Sequence, residues 1–174
     1  MFQVLLRQAR STKPTQLNQQ LRFLTKYSKN PQIIIHENPP NHFNFSLSSK
    51  PNALTIGSST SNDPKPENFQ INNNFKELLE KTLSTKIYND FTFIMEASTN
   101  GDSFMPIYDF REIPEYSRRP YIENVFGYVQ VDKSGKIKPE TWQKNDMYQI
   151  CSGKSGLPKF TEYLYETLQE ECEK

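Results

Sequence analysis

Asn124-Val125-Phe126-Gly127-Tyr128-Val129-Gln130-Val131 is the stretch on which the fold turns. Val125, Gly127, Val129 and Val131 recur at every second position, the period of a half-buried strand. Asp132-Lys133-Ser134-Gly135 follows as a tight turn, and Lys136-Ile137-Lys138 begins the return strand of a hairpin. Asp146-Met147-Tyr148-Gln149-Ile150-Cys151 reads as a further strand. Leu157, Phe160, Tyr163, Leu164, Thr167 and Leu168 then line one helix face, with Ser155 or Gly156 as cap. Pro158 falls in the first turn, where a missing N–H is harmless. Hairpin, strand and helix together predict an α+β unit with helices packed on one sheet face.

Working upstream, Phe75, Leu78, Leu79, Thr82, Leu83 and Ile87 recur at helical spacing. Asn74 is the expected N-cap, with Glu77 completing a capping-box pair. Phe91-Thr92-Phe93-Ile94-Met95 reads as a strand, as do Ile33-Ile34-Ile35, the alternating His42 to Ser48, and Asn52 to Gly57. The expected fold is thus α+β: a small, mainly antiparallel sheet, two amphipathic helices, long Pro-rich loops over 57–73 and 100–120, and a disordered N-terminal leader.

Charge divides the chain. The first thirty residues hold Arg7, Arg10, Lys13, Arg22, Lys26 and Lys29 and no acid, whereas fifteen Lys/Arg face twenty Asp/Glu from Pro31 onward. A basic, acid-free, Ser/Thr/Gln-rich leader is how a mitochondrial presequence reads. Leu17, Leu21 and Leu24 stand at helical spacing, and Arg22-Phe23-Leu24 before Thr25 looks like a processing site. Residues 1–30 are therefore expected to be a targeting leader, with 31–174 as one domain in the mitochondrial matrix. A mean hydropathy of −0.78 is low, but 13% aromatic residues supply a core. No apolar run reaches the ~18 residues of a membrane span. Two cysteines, Cys151 and Cys172, make no disulfide framework and no metal spacing.

Motifs that carry chemistry are few. Gly153-Lys154-Ser155, between an expected strand and helix, suggests an anion contact, although Tyr148 stands where a phosphate loop needs glycine. A helix-capping turn with a solvated lysine is the plainer reading. His36 and His42 flank Pro39-Pro40 without the helical spacing of paired metal ligands. Cys151 would be reactive only if its pKa were lowered, and a buried cysteine is the commoner case. Asp109, Glu112 and Glu115, with Arg111 among them, read as a solvated stretch. Tyr116-Ser117-Arg118-Arg119-Pro120-Tyr121 is the best binding candidate, because arginines beside tyrosines suit an acidic protein surface or RNA. Its candidate contacts are Tyr116, Arg118, Arg119 and Tyr121.

Ile122 to Asp132, Met147 to Cys151, Ser155-Gly156-Leu157 and Phe160 to Leu168 resemble the C-terminal block of a family of small fungal mitochondrial proteins. That block runs strand, glycine-bearing turn, strand, then a Gly-Leu helix start and an amphipathic end. The resemblance implies a mitochondrial address and brings no catalytic residue. The sequence thus predicts a soluble, non-catalytic matrix accessory or assembly factor, without cofactor or metal, acting by protein–protein interaction on a larger mitochondrial protein or complex. A mitochondrial ribosome- or RNA-associated protein is the second reading, and an enzyme with a site near Cys151 to Lys154 the third.

Overall fold

The computed structural model describes residues 23–38, 41–115 and 118–174. Five strands, β1 (Phe23–Lys26), β2 (Ile34–Asn38), β3 (His42–Ser46), β4 (Thr55–Ser59) and β5 (Phe69–Ile71), form an antiparallel sheet in sequence order. Helix α1 (Asn73–Lys86) and a 3-10 turn at Ile87–Asn89 lead into α2 (Phe91–Ala97). A second antiparallel sheet sets β7 (Val125–Val131) between β6 (Ser103–Tyr108) and the short β8 (Gln143–Lys144), and α3 (Glu162–Cys172) follows. The α+β architecture expected from the sequence holds, with three α-helices and two sheets among the described residues.

Ile35, Phe45 and Gly57 stand directly across from one another, so one face of the first sheet is apolar. On it Phe45 meets Tyr27 and Phe69 edge-on, both at 5.8 Å between ring centroids. Gly57 is required here, because a Cβ would stand 2.6 Å from the Phe69 ring. Phe75, Leu79 and Leu83 of α1 are buried, as their spacing requires. Each such side chain contributes roughly 1.5–3 kcal/mol on burial. Asn72, not Asn74, caps α1, its side-chain oxygen accepting from the Asn74 N–H at 3.1 Å.

Several expectations change. Residues 23–30, expected to belong to the leader, are part of the fold: β1 pairs with β2, Tyr27 is a core residue, and Asn30 donates from Nδ2 to the Pro158 carbonyl at 2.7 Å. Most of the expected leader, 1–22, lies outside the described residues, but cleavage near Thr25 would cut β1. The 57–73 loop shrinks to 60–68, because β4 and β5 occupy its ends. Within 100–120, Met105 and Ile107 bury alternate positions of β6, while Pro106 is tolerated on an edge strand.

Phe91 to Met95 is helical, not extended. Asp90 caps α2 by accepting from Thr92 N–H at 2.9 Å, and its second oxygen takes the Thr161 hydroxyl. Thr161 in turn caps α3, accepting from Leu164 N–H at 3.2 Å. The α3 cap therefore falls at Thr161 instead of Ser155 or Gly156, and Leu157 and Phe160 are buried in the approach to the helix. Asp146 to Cys151 is an irregular segment rather than a strand.

Candidate functional site

Arg111, just past β6, organises the irregular half of the molecule. Its side chain is 2% exposed and its ion-pair partner Asp109 is fully buried, with Nη2 and Oδ2 2.9 Å apart. Nη1 donates to the carbonyls of Ile150 at 3.1 Å and Gly156 at 2.8 Å. Nη2 donates to the carbonyls of Gln149 and, at 3.5 Å, Glu123. The guanidinium carbon lies 5.7 Å from the centre of the Tyr148 ring, whose hydroxyl donates to Asp109 Oδ2 at 3.2 Å. Only Arg offers a planar fork with enough donors for this set. Burying an ion pair is costly unless further hydrogen bonds complete it, as they do here except at Nε.

Burial pushes the Asp109 carboxyl up to about 6, against the pull of Arg111. Burial, then the Asp109 charge, holds the Tyr148 phenol well above its ordinary value. Asp109 lies beside the guanidinium as its counter-ion. The solvated stretch expected around Asp109 and Arg111 is corrected: both side chains belong to the interior.

A second clasp joins the same segments. Ser152 and Gly156 exchange backbone hydrogen bonds at 2.9 and 3.0 Å, closing a tight loop. Gly156 has φ +74°, and a Cβ there would collide with the Tyr27 hydroxyl, so no other residue fits. From this loop Ser155 donates its hydroxyl to Glu112, which also accepts from Asn124 Nδ2 at 3.3 Å. Lys154 Nζ stands 3.6 Å from the same carboxylate. The Ser155 hydroxyl, more than Lys154, holds the Glu112 carboxyl below its usual range.

Glu112 and Lys154 of this clasp also line an open groove of about 550 Å³, together with Ile113 to Glu115 and Arg118 to Tyr121. Ile113 is 70% exposed and Tyr121 63%. Arg118 Nε pairs with Glu115 at 3.2 Å, both side chains well exposed. The sequence offered the arginine–tyrosine cluster and the lysine loop as separate contacts. The fold brings Arg118, Arg119 and Tyr121 to one groove with Lys154.

Other candidates fall elsewhere. Tyr116 lies outside the described residues. Gly153 and Ser155 do not open a helix, because α3 begins at Glu162, and Ser155 is already engaged by Glu112. The Gly153-Lys154-Ser155 anion contact is thereby reduced to Lys154. Cys151 is buried, and burial pushes its thiol up to about 11, opposite to activation. His36 is buried in β2 with Nε2 2.8 Å from the Ser48 carbonyl, while His42 is exposed on β3. Among the described residues, no group of three or more His, Cys, Asp or Glu is placed to hold a metal ion, and no helix is long and apolar enough to cross a membrane. Sequence reasoning missed the bracing role of Arg111 and the clasp at Glu112, whose partners are backbone carbonyls and a serine far along the chain. No protein-family model, curated protein or solved structure matches this chain.

Proposed function

We propose that this chain is a non-catalytic accessory or assembly factor that holds a partner protein in the groove lined by 112–115, 118–121 and Lys154. The observation that carries this reading is the meeting of Arg118, Arg119, Tyr121 and Lys154 on one open surface with Ile113 and Pro114. Interfaces favour Arg and Tyr beside apolar side chains, because both bury large areas while keeping a polar end satisfied. With Glu112 and Glu115 among Arg118, Arg119 and Lys154, the groove is of mixed sign and small net charge, which favours a protein over the dense, uniform charge of a phosphate backbone. The acid-free basic stretch over residues 1–30 supports a mitochondrial matrix address, and the resemblance of the last third to fungal mitochondrial proteins agrees with it.

The test is purification of the tagged full chain from mitochondria, wild type beside the triple variant R118E/R119E/K154E. One stoichiometric protein partner is expected with the wild type and is lost with the variant. Equal recovery with both, or recovery of ribosomal RNA that nuclease removes, refutes the reading.

A further inference from the structure

Resting on that reading, we infer that the groove takes an extended acidic segment of its partner, in which carboxylates accompany one apolar anchor. Charge complementarity comes first. Among the described residues Arg119 has no carboxylate within ion-pair distance, whereas Arg118 and Lys154 each have one, Glu115 and Glu112. The Lys154 side chain is 85% exposed and its contact is 3.6 Å long. Pairs this exposed contribute little net stability, so an incoming carboxylate exchanges with them at small cost.

The exchange is asymmetric. When Lys154 turns to a ligand, Glu112 keeps the Ser155 hydroxyl and the Asn124 amide, so no buried acid is stranded. Glu115 is exposed and returns to water. The groove thus releases two cations and adds Arg119, without leaving an unsatisfied group behind.

Shape supplies the rest. The described residues of 112–121 add no rung to either sheet and line the groove as irregular backbone carrying Pro114 and Pro120. Ile113 and Tyr121 offer apolar surface among the cations, a seat for one aliphatic or aromatic anchor. Arg111 fixes both ends of the loop that bears Lys154, through the carbonyls of Ile150 and Gly156, so the lysine is held at the groove before a ligand arrives.

The test selects a displayed library of random ten-residue peptides against the full chain and against R119E/K154E. Enrichment of Asp or Glu beside an aliphatic or aromatic residue is expected with the wild type only. A selected peptide should bind about tenfold or more weakly to the variant, and similarly when its acids are changed to amides. No enrichment, enrichment without acids, or enrichment that survives the variant overturns the inference. Tighter binding of a single-stranded RNA decamer than of the selected peptide also overturns it. If the native partner depends on the groove while the library yields no acidic peptide, the interaction reading stands and only this ligand chemistry falls.

Discussion

In the sheet β1–β5 each strand pairs with its neighbour in sequence, and the bonds run backbone to backbone. Near Arg111 and Asn145, side chains that reach for carbonyls add to scattered backbone bonds such as that from the Phe110 N–H to the Lys159 carbonyl at 2.7 Å. Asn145 Nδ2, for instance, donates to the carbonyls of Ile122 at 2.7 Å and Val125 at 2.8 Å. A ladder spreads its stability over many similar bonds, so one substitution removes a small share. A brace concentrates it in a few atoms. The irregular half of this molecule is therefore specified by single residues, and the sheet by pattern.

The most severe way to break that contrast is Arg111→Ala. It strands Asp109 and the carbonyls that Arg111 serves, and a cost of about 3–5 kcal/mol is expected, read from urea unfolding. Arg111→Lys should recover only a minor part, since lysine lacks the fork. A loss below about 1 kcal/mol would show that the brace is dispensable.

Tyr27→Ala probes the sheet side and should cost about 3 kcal/mol or more. The companion experiment is truncation. Removing 1–30 takes β1, Tyr27 and Asn30 and should lower the melting temperature sharply relative to removing 1–22. Equal stability of the two truncations would return the domain boundary to residue 30.

Asp109 gives the Arg111 brace a pH signature. Its carboxyl is raised from 3.8 to about 6 in the folded chain. Between those values the folded state holds a proton that the unfolded chain has released. This carboxyl's contribution to stability therefore falls as pH rises from about 4 to about 6, by on the order of 2–3 kcal/mol, and is flat outside the window. The stability of wild type relative to Asp109→Asn should trace that fall, and an NMR titration of the Asp109 carboxyl should show a midpoint near 6. A midpoint about 4, the ordinary value for aspartate, would mean that Arg111 and the hydrogen bonds to the carboxyl fully offset burial.

The smallest expected effect lies where the helices meet. Thr161→Ala removes the α3 cap and one partner of Asp90, for a loss of about 1–2 kcal/mol in thermal or urea unfolding. Thr161→Ser should retain most of the wild-type stability. Equal losses in both variants would assign the effect to packing of the threonine methyl instead of the cap.

Legibility in the sequence followed the same division. The alternation through Val125 to Val131 and the helical spacing of Phe75, Leu79 and Leu83 reappear as β7 and α1, because pattern is what builds them. Phe91 to Met95 carries strand-like residues, yet becomes α2 because Asp90 caps it, with a partner at Thr161 that lies 71 positions away. Pro106 masks β6 until its place at a sheet edge is known. At the site, the arginine–tyrosine cluster and Lys154 were visible one at a time. Their juxtaposition depends on Arg111, whose acceptors, the Asp109 carboxylate apart, are main-chain oxygens that any residue possesses and no motif can reveal.

The Arg111 contacts to Gln149, Ile150 and Gly156 bridge separations of 38 to 45 residues. Closing such a span costs more entropy than forming a hairpin between adjacent strands, so it waits until other segments have reduced the search. The groove should accordingly be among the last features to assemble and among the first to come apart, while the five-stranded sheet persists. Hydrogen exchange would then find the Ser152 and Gly156 amides released together, well before those of β2 and β3. A binding surface built this way should have a lifetime of its own, set by a few side chains and separate from the lifetime of the fold.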